Sequence, residues 1–278
     1  MKNFFIAALA ALSLSASAQS YIIMENGIVV TTDKAGYAYD FGHYAYPQKI
    51  TLKGGQYFVE ENSILATIDE NGLLYRKYEY IPENIIGKGV NYFLSGEGEL
   101  YTFNAQGEVS IFEDESLKTA AHFGGNYFAV VTDSEKKLAN LYTVNKNGYH
   151  AQAKMDDFKI TDIVAFGGNY FMNNRGVVHT IDTNGVVSAK NEMRVGIMMK
   201  KGGNYFTDSN GFLYTVAEDG TIHLPAVPAT LNLQTITKMG SNYFLDLSGN
   251  LFVVDKEGNI FQRVMSGHDF RHARVISL

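Results

Sequence analysis

The residues of this 278-residue chain that are able to do chemistry are seven histidines, a set of lysines and a recurring aspartate. His43, His122, His150, His179, His223, His268 and His272 are scattered along the sequence. Only His268 and His272 stand four apart, in a stretch that reads as a loop and not as the helix on which paired zinc ligands sit. There is no cysteine, which removes thiolate metal sites, disulfides and a cysteine nucleophile together. Neither a serine nucleophile elbow nor a phosphate-cradling loop is present. The sequence therefore predicts no catalytic constellation, no metal site and no cofactor.

The lysines carry a clearer pattern. Lys53, Lys88, Lys201 and Lys238 each stand one or two places before a Gly-Gly pair or its variant, and His122 takes that place once. Eleven basic residues fall in or beside the same kind of segment, although the chain as a whole is acidic, with a formal charge of −6. Cations converging on one mouth of a channel attract an anion. Lysines that merely snorkel from strand ends into water do not. The aspartates stand in Asp-x-x-Gly phrases such as Asp69 to Gly72 and Asp182 to Gly185. A helix-loop-helix calcium site spreads its ligands over about twelve residues. Here strand-like residues follow at once, so these phrases read as Asx turns closing hairpins.

What positions these residues is a repeat. One phrase returns six times, from Gly54-Gly55-Gln56-Tyr57-Phe58 to Gly240-Ser241-Asn242-Tyr243-Phe244, its tyrosines separated by 35, 35, 43, 35 and 38 residues. A second phrase follows each copy, as in Leu100-Tyr101-Thr102-Phe103-Asn104 ending at Gly107 and Leu213-Tyr214-Thr215-Val216 ending at Gly220. Each unit divides into four short runs rich in Val, Ile, Thr, Tyr and Phe, split by glycine turns, which is the pattern of antiparallel strands. In the last unit the expected strands are Gln234 to Met239, Asn242 to Asp246, Asn250 to Asp255 and Asn259 to Gln262. Residues 20 to 41 match the second to fourth strands alone, and Ala273 to Leu278 resembles the missing first strand.

Four strands per repeat of this length are the signature of a propeller blade. The mature chain resembles the β-propeller superfamily, and its Leu-Tyr-Thr-Val-Asp-x-x-Gly phrase is similar to repeats of bacterial PQQ-like and NHL-type propellers. It departs from WD40 repeats, lacking their Gly-His and Trp-Asp pairs, and it contains no tryptophan. The expected fold is all-β: a seven-bladed propeller of four-stranded antiparallel blades, closed by pairing the C-terminal strand with the N-terminal three. In such a fold the Tyr and Phe of the first phrase are expected in inter-blade layers, and the first strands along a central channel. A lectin stacking sugars on blade tyrosines is the carbohydrate alternative.

Residues 1–18 have a cationic start at Lys2, an apolar run from Phe4 to Leu14 and an Ala16-x-Ala18 end. This is the pattern of a signal peptide followed by one domain at 19–278. Export without cystines points to a bacterial periplasm or exterior. The acidic balance argues against nucleic acid as a partner, and no later run is long enough to span a membrane. The expected protein is a monomeric binding or assembly module for an envelope protein or polysaccharide. Its diverged loops offer Tyr44, Tyr46, Lys136, Lys137, His268 and Phe270 as contacts. The alternative is an enzyme acting on an anionic substrate at the lysine-lined mouth.

Overall fold

Because each unit alternates β-branched or aromatic runs with turns, its strands are suited to pair with one another as hairpins. In a computed structural model describing residues 20–155 and 158–276, the described strands form seven four-stranded antiparallel sheets. Blade 1 holds Ser20–Met24, Ile28–Thr32 and Ala38–His43, with Ala273–Ile276 paired to Ser20–Met24 as its first strand. Blades 2 to 7 occupy 50–78, 85–113, 120–152, 163–190, 198–223 and 236–263. The protein is a seven-bladed β-propeller closed by its two ends. The last unit's strands are Ile236–Met239, Tyr243–Asp246, Leu251–Val254 and Ile260–Arg263, within two residues of expectation. The signal-peptide segment lies outside the described residues.

The Tyr-Phe pair starts the second strand of blades 2 to 7, and successive side chains leave a strand on opposite faces. Both rings are therefore buried, one towards each neighbouring blade. Tyr57, Tyr92, Tyr127, Tyr170, Tyr205 and Tyr243 have no exposed surface, and their Phe partners at most 1%. Each ring removes about 150–250 Å² from water, worth several kcal/mol as an upper estimate at about 25 cal/mol/Å². The phenol is satisfied as well: Tyr57 Oη donates to the Tyr92 carbonyl at 2.8 Å, Tyr127 to Tyr170 at 3.0 Å, and Tyr205 to Tyr243 at 2.7 Å. These tyrosines are the mortar between blades and offer no sugar platform.

Two sets of turns close on the axis. At the third-to-fourth turns, the N–H of Lys34 donates to Glu70, Glu70 to Ala105, Ala105 to Lys146, Lys146 to Thr183, Thr183 to Glu218, Glu218 to Lys256, and Lys256 back to Lys34. At the first-to-second turns, a parallel series runs from Gln56 to Val90, Val90 to Gly125, Asn126 to Gly168, Asn169 to Gly203 and Asn204 to Ser241. The Asn242 N–H extends it to blade 1 by donating to Ser20 Oγ at 3.1 Å. Backbones so bonded lie about 4.8 Å apart, and seven of them make a circle only about 11 Å across. Both turns of a blade thus sit at the axis and its strands run outward, stacked along the axis in strand order. First strands form one face and fourth strands the other.

This corrects the expectation that first strands line a channel. The glycines explain how backbones come so near: a Cβ on Gly125 would sit 2.4 Å from Gly168 Cα, and one on Gly168 2.4 Å from Gly203 Cα. The Asp-x-x-Gly phrases are Asx turns as expected. Asp69 Oδ1 accepts from Asn71 at 2.9 Å and Leu73 at 2.8 Å, while Gly72 takes φ +78°. Second-to-third turns and the links between blades make up the rim.

Candidate functional site

Each first strand of blades 2 to 7 carries a register irregularity against its second strand. An extra residue of this kind flips every side chain beyond it. After it, one position pairs with the motif Phe and stands directly before the glycine turn. That position holds Lys53, Lys88, Phe123, Phe166, Lys201 and Met239 in blades 2 to 7. Lys238 belongs one place earlier, equivalent to Leu52, and His122 is the irregular residue itself, with φ +55°.

The expected set of cations therefore divides. Lys53, Lys88 and Lys201 share a position around the axis. Lys238 instead donates to the carbonyls of Ala273 at 2.7 Å and Arg271 at 3.2 Å, tying blade 7 to the closing strand. Lys200 does the same towards blade 7, reaching the carbonyls of Leu233, Gln234 and Ile236. These two are fasteners. His122 lies stacked on Phe166, with 5.4 Å between ring centroids and 28° between planes.

At the centre of the first-strand face lies a depression of about 200 Å³, walled by Lys88, Phe123, Phe166 and Lys201 and floored by the glycine turns. Around it an aromatic arc, Phe123 and Phe166, stands between Lys88 on one side and Lys201 on the other. Burial and the neighbouring charge of Lys53 hold the Lys88 ammonium below its usual pKa. Among the described residues none of Lys53, Lys88 and Lys201 takes part in an ion pair. Phe123 and Phe166 were not anticipated, although their place before Gly124-Gly125 and Gly167-Gly168 was the signal.

The diverged loops lie on the rim and do not share a face. Lys136 and Lys137 form the second-to-third turn of blade 4, Lys136 paired with Asp133 at 3.3 Å and Lys137 at φ +58°. Tyr44 and Tyr46 lie between blades 1 and 2, and His268 and Phe270 between blades 7 and 1. Tyr46 is exposed, with Lys49 Nζ 5.5 Å from its ring centre, whereas Tyr44 packs edge-on against Phe41 and under Arg76. His268 Nε2 lies 3.1 Å from Asp40. Phe270 is corrected: it is buried among Ile22, Val30, Tyr243 and Leu251 and presents nothing to a partner. Among the described residues no group of three or more His, Asp or Glu is placed to hold a metal. Nor does any described helix have the length and apolarity to cross a membrane.

The geometry defines a propeller with a basic, aromatic-walled hollow on one face of its axis. No family model matches the chain, and no curated protein matches it. Among solved structures it is similar to virginiamycin B lyase from Staphylococcus aureus, at 12% identity over 86% of this chain and 88% of that one, with a TM-score of 0.36. It is similar also to a streptogramin B lyase, at 16% identity over 91% of this chain and 96% of that one, with a TM-score of 0.35. Neither likeness carries an argument about the chemistry of this chain.

Proposed function

We propose that the protein is an exported binding module that takes an anionic group of a surface polymer in the hollow of its first-strand face. The observation that supports this reading is the set Lys53, Lys88 and Lys201, in no ion pair among the described residues, around an apolar arc. Like charges gathered on a partly desolvated wall repel one another, and a carboxylate or sulfate placed between them relieves that repulsion. Phe123 and Phe166 supply the flat apolar wall that a sugar ring or aliphatic segment beside the anion covers. The signal-like segment 1–18 supports an extracytoplasmic setting.

The test is calorimetric titration of the full mature chain with a uronic-acid polysaccharide, a sulfated glycan and neutral dextran. Binding of an acidic polymer, weakened at least about tenfold in the Lys88→Glu, Lys201→Glu double variant and unaltered in Lys136→Glu, is expected; each lost charge contact is worth on the order of 1 kcal/mol or more. Equal binding of dextran, or full retention of affinity in the double variant, would sink the reading.

A further inference from the structure

Beneath the glycine turns, between the first-to-second and the third-to-fourth turns, lies a small chamber of about 40 Å³ lined by residues of blades 2 to 6. Its wall includes Asn91, Asn126, Asn169 and Asn204, the residue that precedes Tyr-Phe in blades 3 to 6. The Oδ1 atom of each of these four amides is buried and has no hydrogen-bond partner. Asn91 and Asn204 are only 3% and 6% exposed. The orientation of the Asn91 amide is fixed, its Nδ2 donating to the Val144 carbonyl of the next blade at 3.3 Å. Asn242, at the same position in blade 7, donates to Asp33 in the same manner and spends its Oδ1 on Thr32.

Four buried amide oxygens belonging to the wall of one small space each forfeit the bond they would make to water. We propose that this chamber is a binding site for one monovalent alkali cation, coordinated by the side-chain oxygens of Asn91, Asn126, Asn169 and Asn204. Neutral oxygen dipoles in a ring replace the hydration shell of such an ion. Calcium sites draw on carboxylates and magnesium holds its waters tightly, whereas the four ligands here are uncharged. Lys146 and Glu218, one of each sign, also border the space and leave its wall without net charge. The volume exceeds the roughly 10–15 Å³ that one water-sized particle needs, so an ion and a water or two fit.

The experiment is thermal unfolding of the full mature chain at equal ionic strength in potassium, sodium and tetramethylammonium chloride, the last too large for the chamber. A saturable rise in Tm with one alkali ion is expected, roughly 5 to 10 °C once that ion exceeds its dissociation constant a hundredfold. In the Asn126→Leu, Asn169→Leu double variant the rise should vanish. Crystals of the unaltered chain grown with thallium(I) should in addition show an anomalous peak in the chamber, and this measurement decides if the double variant does not fold. The same Tm in all three salts, which is what a chamber filled by water alone gives, overturns the proposal. So does a thallium map with no peak there.

Discussion

The side chains that hold the molecule together do two jobs each. Tyr92 fills an inter-blade layer and its Oη donates to the carbonyls of both Tyr127 and Gly124, at 2.7 and 3.0 Å. Tyr92→Phe keeps the ring but takes the hydroxyl donor from the Gly124 carbonyl, while the Tyr127 carbonyl keeps the Gly124 N–H at 2.8 Å. A loss of about 1–3 kcal/mol is expected in urea unfolding; an unchanged midpoint would show that the Gly124 carbonyl finds another donor. Gly125→Ala puts a methyl 2.4 Å from the Gly168 Cα, against backbone that cannot rotate away. It should cost about 3 kcal/mol or more, read in the same assay. The site itself was only half legible at this scale. Lys53, Lys88 and Lys201 follow from their place before Gly-Gly. Lys238 looked equivalent because counting back from a glycine does not reveal on which side of a register irregularity a residue falls. Pairing of Lys238 with Leu245, and of Lys53 with Phe58, separates them.

At the scale of elements, the closing strand is the point where the covalent chain does not help. Among the described residues, Ala273–Ile276 is joined to blade 1 by pairing with Ser20–Met24 and by side chains around it, with no peptide link. Arg274 is hydrogen-bonded to Glu25, and Lys238 holds the Ala273 carbonyl. Truncation after residue 272 leaves Ser20–Met24 as an open edge, which invites pairing with another copy. The truncated chain is expected to self-associate in size-exclusion chromatography while the full chain does not. Acid should attack the same seam. The Arg274 hydrogen bond holds the Glu25 carboxyl below its usual pKa, and the hydrogen bonds from Arg271 hold Asp269 at about 2. Both are lower folded than unfolded, where carboxyls titrate near 4. Their contribution is therefore present above about pH 4 and lost as pH falls towards about 2. Hydrogen-exchange protection of Ser20–Met24 should drop in that window before protection of Tyr205–Asp208 does; simultaneous loss would contradict it.

At the scale of the whole molecule, blade number and closure were legible, because duplicated phrases count themselves and the unpaired end segments complement each other. The direction of the strands relative to the axis was not. A hairpin reads the same whichever end faces inward, and only contacts between blades decide it: glycine against glycine at the first turn, and the peptide groups from Lys34 to Lys256 at the third. Those seven peptide groups, each donating to one neighbour and accepting from the other at 2.8 to 3.4 Å, have no first or last member. Linear arrays of repeats melt from their outermost units, which lack a neighbour. A hoop has no outermost unit. A protease nick in a rim turn such as 61–63 should therefore leave the two fragments together and folded, migrating as one species until denaturant is added. The same property binds the repeats to one number: removing any blade opens the hoop and leaves a peptide donor and a peptide acceptor at the axis without partners.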